Sequence, residues 1–255
     1  NQETIADGYI GFRKYILKRI INHSTDHIIN ISKYNEKKLS VFKDSTVVYN
    51  FIPLPENYRQ PFSEKREDIK VLYMGGMAKI KGFNITVDCL QYLDDGIALQ
   101  FAGNFSSIDS GPGIKGKLKD ILKKTVYRKL YIPLEIIHKA DNAEVLGLLK
   151  NPLPYIDACD ILITPFTVEH FSRPAVEAFA YGKPVIGSDI EGMDEIIDHG
   201  VNGLLVEKNN PRALAEAIND LCRNPKKAQK MGENGRKKAE TVFSPDVNTR
   251  KVEKI

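Results

Sequence analysis

The sequence predicts an α/β fold, a doubly wound parallel sheet preceded by a shorter strand–helix–strand piece, and three observations predict it. Short β-branched runs alternate with amphipathic stretches along most of the chain. Glycine-rich turns stand between several of these runs and the helices that follow. The 255 residues are 42% hydrophobic and 27% charged, the balance of a soluble globular chain with room for one large core or two smaller ones. Alternation of this kind produces right-handed βαβ units and therefore parallel strands.

Taken in order, residues 12–20 (FRKYILKRI) space Phe12, Ile16 and Ile20 four apart among basic residues, a basic amphipathic helix. Residues 27–32 read as a strand, 33–42 as a helix and 45–50 as a strand. Residues 51–61 (FIPLPENYRQP) read as a Pro-rich linker. The alternation then restarts. Strands are expected at 69–74, 98–103, 143–149, 160–166, 183–188 and 203–207. Helices are expected at 83–93, 153–159, 174–181, 193–199 and 210–222, the last with Pro211 in its first turn. Residues 104–142 fit least well: 113–130 read as a second basic amphipathic helix with no clear strand partner. The expected division is 1–60 for the front piece and linker, and 61–255 for the main domain.

Composition narrows the function classes. A net charge of +4 fits an anionic ligand without requiring one. Cys89, Cys159 and Cys222 are few, scattered and odd in number, which argues against a disulfide framework or zinc site and suits a reducing cytosol. No apolar run approaches a membrane span, and the chain opens on Asn1 without a signal-peptide pattern. His23 and His27 lack a third ligand, so no metal site is expected. Asp157 and Asp160 read as structural caps. The basic stretches suit either peripheral contact with anionic lipid or the solvated faces of packed helices.

The densest segment is EHFSRPAVEAFAYGKPVIGSDIEGMDE, residues 169–195. In open parallel sheets ligands bind beyond the carboxyl ends of the strands, and the loop 167–173 lies at such an end. The helix start at Pro174 offers free amides and a positive dipole end, an anion site. Glu169 in the loop and Glu177 one turn into the helix would flank it, about 10 Å apart if the loop folds over the helix start. A carboxylate accepts from vicinal hydroxyls, so two of them around an anion site suit a ligand built as sugar, phosphate, sugar. From chemistry alone the alternative stays open that Glu177 only meets its helix dipole and Glu169 is solvated. Further turns reach the same edge: YMGGMAKIKG with Lys81 placed for a phosphate, FAGN with Gly103, and SDIEGMDE with Gly192 and Met193 as a second amide nest.

These motifs resemble glycosyltransferase family 4, retaining enzymes of the GT-B fold. Glu169-x7-Glu177 followed by AFAYGKPVIGSDIEGMDEII and GVNGLLVE is similar to that family's E-x-F-G…EAMA-G-PVI…GG-x-E…NGLLV pattern. VLYMGGMAKIKG resembles its V-G-R-L…K-G element, and AEVLGLLKNPLPYIDACDILITP its F-L-G…Y…AD-V-x-V-x-P run. The likeness covers about 61–255, the donor domain with its Rossmann-like sheet. DHIINISKYNEKKL with VVYN resembles the end of the acceptor-side domain, whose first part has no counterpart here.

The resemblance implies that Glu177 binds the nucleotide's ribose and Glu169 holds the donor sugar near its reacting carbon. It implies that Lys81 with the amides at Gly192 and Met193 takes the diphosphate, and that Gly76, Gly103, His170, Phe171 and Ser172 line the donor site. Two departures stand out: Gly76 replaces the family's Arg, and Ser172 its second motif Gly. Arg173, beside Ser172, would restore the missing charge. The implied partners are a nucleotide-sugar donor and a glycan, lipid-linked or small hydroxyl acceptor, with no nucleic acid. No cofactor or metal is implied, in keeping with the absence of a D-x-D motif. A cytoplasmic enzyme of cell-surface glycan or glycolipid synthesis is the expectation. A non-catalytic sugar-nucleotide-binding module is the alternative. A dinucleotide-binding oxidoreductase lacks its G-x-G-x-x-G after the first strand of the main domain.

Overall fold

The computed structural model describes residues 16, 19–20, 23–24, 26–39, 45–62, 68–105 and 128–255. The front piece is β1 (Ile28–Asn30), α1 (Lys33–Leu39) and β2 (Ser45–Val47), with the two strands paired in parallel. The main sheet holds β3 (Ile69–Tyr73), β4 (Ile97–Ala102), β5 (Ala143–Gly147), β6 (Ile161–Thr164), β7 (Val185–Ser188) and β8 (Gly203–Val206). Its order is β5-β4-β3-β6-β7-β8, and every pair is parallel. The α/β expectation therefore holds strand for strand.

Strand alternation divides the core between two faces. Val71, Tyr73, Leu99, Ile161, Ile163 and Ile186 join one cluster. Leu72, Leu162 and Val185, one residue out of step, join the other. The first face is covered by α2 (Phe83–Cys89), α3 (Arg128–Lys139) and α6 (Pro211–Arg223). The second is covered by α4 (Leu153–Ala158) and α5 (Arg173–Ala180), with Phe243 beyond the end of α7 (Pro225–Thr241). Helix α5 is buried almost all round, through Ala175, Val176, Ala178, Phe179 and Ala180. Among the described residues no helix is long and apolar enough to cross a membrane.

Several expectations need correction. The helix expected over 83–93 ends at Cys89 and continues as a 3-10 turn, Leu90–Tyr92. Residues 193–199 form no helix: turns run over 191–196. The N–H groups of Ile196 and Ile197 both donate to Met193 O, at 3.0 and 2.8 Å, so a single turn forms there and goes no further. Helix α3 and the two terminal helices, α7 and α8 (Pro245–Val252), lie where no helix was assigned beyond residue 130 or after 222. Of the basic stretch 113–130, only 128–130 are described, as the start of α3. Of 12–20, only 16, 19 and 20 are described, as helical.

The expected linker is no free tether. Arg59 inserts at the amino edge of β6, donating from its backbone N–H to Asp157 Oδ1 at 2.7 Å and from Nη2 to Cys159 O at 2.8 Å and Asp160 Oδ1 at 3.0 Å. Asp160 also accepts from the N–H groups of Phe62 (2.9 Å) and Lys70 (3.0 Å). Lys183, fully buried, donates from Nζ to Arg59 O. The two aspartates are structural as expected, but they clamp the linker rather than cap their own elements. Helix α8 returns to the front piece, where Asn248 Oδ1 accepts from Tyr49 N–H at 3.1 Å and Lys251 Nζ donates to Val47 O at 3.3 Å.

Candidate functional site

From β3 the chain steps outward through β4 to β5, then returns to β6 beside β3 and proceeds the other way to β8. Connections therefore diverge between the carboxyl ends of β3 and β6, which opens a crevice in the sheet edge. A cavity of 280 Å³ lies there. Tyr73 and Gly75 line it from the end of β3, Thr164 and Phe166 from the end of β6, and Lys81, His170, Phe171 and Arg173 from the flanking turns.

Ser172 sets the start of α5. Its buried hydroxyl accepts from Ala175 N–H at 3.4 Å as the helix N-cap, with Pro174 in the first turn. The helix thus begins at Arg173, one residue before the expected start, and the Ser172 side chain is committed to the helix rather than open to a ligand. Arg173 Nε donates to Glu177 Oε1 at 2.8 Å, one turn on. The pair is lopsided, because the Arg173 side chain is 70% exposed and that of Glu177 only 6%. Burial pushes the Glu177 carboxyl above its usual pKa, and the neighbouring guanidinium opposes that rise.

The loop before α5 is held from both sides. His170 stacks on Phe166 with ring centres 4.0 Å apart, and its N–H donates to Glu191 O at 3.2 Å. Phe171 reaches the cavity wall, while its ring stacks on Tyr49 at 5.6 Å. Glu169 stands outside the cavity wall, its side chain 40% exposed and 3.8 Å from Lys208 Nζ.

The glycines serve loop contacts more than an open site. Gly76 (φ +56°) and Gly103 (φ +135°) lie against each other, and a Cβ on Gly103 would sit 2.4 Å from Gly76 N. Neither residue is in the cavity wall; they let the β3 and β4 loops touch. Gly192 (φ +89°) packs under the 170 loop, where a Cβ would meet His170 O at 2.8 Å. The expected amide nest at Gly192 and Met193 is a closed turn, since Met193 N–H is bonded to Ile190 O at 3.2 Å and its side chain is fully buried. The structure therefore gathers Lys81, His170, Phe171 and Arg173 at one cavity, sets Glu177 behind Arg173, and leaves Glu169, Gly76, Gly103, Gly192 and Met193 off its wall.

Two residues of the site carry no sequence signal. Thr164 closes β6 with a buried hydroxyl that has no hydrogen-bond partner, yet in ILIT it reads as one more strand residue. Tyr73, also a strand residue, donates its phenol proton to Gly76 O at 3.2 Å and so braces the glycine turn. Burial raises the phenol's pKa, which keeps it a donor. Among the described residues no three His, Cys, Asp or Glu side chains are grouped to hold a metal ion, and a His27 ring nitrogen shares a hydrogen bond with Thr46 Oγ1 at 2.9 Å.

Comparison with known proteins bears on the family and the fold. An uncharacterized glycosyltransferase of Methanocaldococcus jannaschii, MJ1178, is 30% identical over 88% of this chain and 57% of its own length. The capsular polysaccharide biosynthesis glycosyltransferase CapM of Staphylococcus aureus is 25% identical over 64% of this chain and 46% of its own. The chain thus spans about half the length of these curated relatives. Among solved structures, Anabaena HepE in complex with UDP superposes with a TM-score of 0.80 at 18% identity, over 97% of this chain and 68% of that one. The C-terminal domain of LpcC, a group 1 protein of Francisella tularensis, gives 0.58 at 21% identity, over 76% of this chain and 96% of that domain. These neighbours share the GT-B glycosyltransferase architecture. The sequence profile of the family described as Glycosyl transferases group 1 matches residues 55–238, which takes in the clamped linker, the six strands and the whole cavity wall, so this chain belongs to the group 1 glycosyltransferases.

Proposed function

We propose that the chain carries the donor half of a retaining, family 4-type glycosyltransferase that moves a sugar from a nucleoside diphosphate sugar to a hydroxyl acceptor. The observation that carries this reading is the switch-point cavity, where two cations, Lys81 and Arg173, and the start of α5 converge. Ala175 N–H is bonded to Ser172 Oγ and Pro174 has none, so the amides of Ser172 and Arg173 are the ones left to face a ligand. As the glycosidic bond breaks, charge builds on the departing diphosphate, and fixed cations and helix-start amides offset it without rearrangement. Glu177 would take the ribose hydroxyls. Glu169 would swing from Lys208 to the donor sugar. Lys81 and Arg173 would supply the counter-charge to the diphosphate, so neither a cofactor nor a metal ion is part of the proposal.

Retention is what the resemblance of the Glu169-x7-Glu177 segment to glycosyltransferase family 4 implies. A role in cell-surface glycan synthesis rests on relatives such as CapM and the Pseudomonas aeruginosa D-rhamnosyltransferase WbpZ. Catalysis belongs to the whole enzyme, with a glycan, lipid-linked or small hydroxyl acceptor met by the front domain.

Calorimetry with UDP, GDP and ADP tests the reading. At least one should bind this 255-residue chain, and chelator should not weaken it. Lys81→Ala should cost about 1.5–3 kcal/mol of diphosphate binding and little of nucleoside binding. Binding of none of the three would overturn the proposal.

A further inference from the structure

We infer that Arg173 is a shared cation whose Nε stays on Glu177 while its two outer nitrogens take the diphosphate of a bound nucleoside diphosphate, so that the ribose carboxylate and the phosphate site act as one unit. The inference rests on the donor-site reading above and specifies its wiring.

Three features carry it. Arg173 and Glu177 are one turn apart on α5, and the recorded contact between them uses Nε alone, at 2.8 Å. A guanidinium has five N–H donors in a flat fork, so the contact leaves the edge formed by both outer nitrogens for a second, two-bond partner. The cavity offers the place for that partner, since Arg173 lines it together with Lys81 while the side chain stays 70% exposed.

The electrostatic need is specific. Glu177 is buried next to where a polyanion would bind. Left alone, its charge would repel the diphosphate through poorly screened surroundings. With Arg173 across its Oε1, the carboxylate can hold ribose hydroxyls and the diphosphate sees a cation in front of it. Glu177 also holds the Arg173 fork in place; that benefit to the diphosphate disappears with Arg173, and the repulsion remains.

The test is a double-mutant cycle read by calorimetry. Wild type, Arg173→Gln, Glu177→Gln and the double variant are titrated with UDP, GDP, ADP and the matching nucleosides. Circular dichroism checks that each variant is folded. For whichever diphosphate binds the wild type, Glu177→Gln is expected to weaken it about tenfold or more. In the Arg173→Gln background the same change is expected to cost nothing or to tighten binding. For the uncharged nucleoside, Glu177→Gln should weaken binding by the same factor in both backgrounds. A cycle in which the two effects simply multiply, or an Arg173→Gln variant that binds the diphosphate like wild type, would overturn the shared-cation inference and leave the donor-site reading standing. Failure of wild type to bind any of the three diphosphates would overturn both.

Discussion

The two edges of the sheet each bury an ion pair, and they use it in opposite ways. At the amino edge, Arg59 and Asp160 have side chains only 14% and 4% exposed. Asp160 accepts from three donors there, Arg59, Phe62 and Lys70, and Lys183 closes the cluster from the far side. One buried nitrogen, Arg59 Nη1, lacks a partner. At the carboxyl edge, Glu177 is as buried as Asp160, but its cation is 70% exposed and lines a cavity. Buried charge by itself therefore does not mark a site. Nor does a single unpaired buried nitrogen; a cation left open onto a cavity does.

The sharpest way to break this comparison is at the clamp. Arg59→Ala removes the guanidinium from the almost fully buried Asp160 carboxylate, while the backbone bond to Asp157 remains. Breaking a buried pair by removing one partner costs about 3–5 kcal/mol. Urea denaturation should show a loss of that order, while the folded fraction keeps its affinity for nucleoside diphosphate. A loss under about 1 kcal/mol would place the pair among weak surface bridges.

Next in size is the loop contact behind the site. Gly103→Ala forces a Cβ to within 2.4 Å of Gly76 N at a φ of +135°. Strain of this kind costs about 1–3 kcal/mol. Because the contact braces the turn that carries Lys81, diphosphate affinity should fall along with the melting temperature. An affinity that survives while stability drops would detach the turn from the site.

Lys183 sharpens the comparison through pH. Burial, opposed in part by Cys159 and the aspartates, brings its pKa down to about 8 from the ordinary 10.5. The unfolded chain then binds more protons between those values, so stability should rise with pH across that window. Lys183→Met should flatten the rise when the two denaturation series are subtracted. A difference that stays constant from pH 7 to 11 would show that Lys183 titrates normally.

Much of the fold was legible because alternation and glycine turns are local signals. All six main strands follow from short apolar runs, and the start of α5 from Ser-Arg-Pro. What was missed depends on partners far along the chain. Arg59 looks like any linker residue until Asp157 and Asp160, about a hundred positions on, close around it. Glu195 reads as one more motif carboxylate, yet it accepts from the N–H groups of Lys33 and Tyr34 and from the Tyr49 hydroxyl, tying the donor-side turn to the front piece. The helix expected at 193–199 stops at one turn, with Ile196 and Ile197 N–H both on Met193 O, while the neighbouring Glu195 is drawn to the front piece. In the site, residue types and spacing gave the list, but only geometry separates Arg173, on the wall, from Gly76 and Gly103, behind it.

The smallest effect belongs to Glu169, and its smallness is informative. Its contact with Lys208 is 3.8 Å long between side chains 40% and 48% exposed. Exposed pairs of this kind contribute about 0–1 kcal/mol, because water screens the charges and both side chains lose freedom. Lys208→Ala should therefore shift stability by less than about 0.5 kcal/mol. Nucleoside diphosphate carries no donor sugar, so Glu169→Ala should leave its binding unchanged, in contrast to Glu177→Ala. With an intact nucleotide sugar the order should change. Glu169 must leave Lys208 to reach the sugar, and the weak pair makes that move inexpensive. In the whole enzyme Glu169→Ala should depress transfer far more than donor binding, and Lys208→Ala should leave both nearly intact. A Glu169→Ala variant that transfers sugar at the wild-type rate would confine Glu169 to the surface pair.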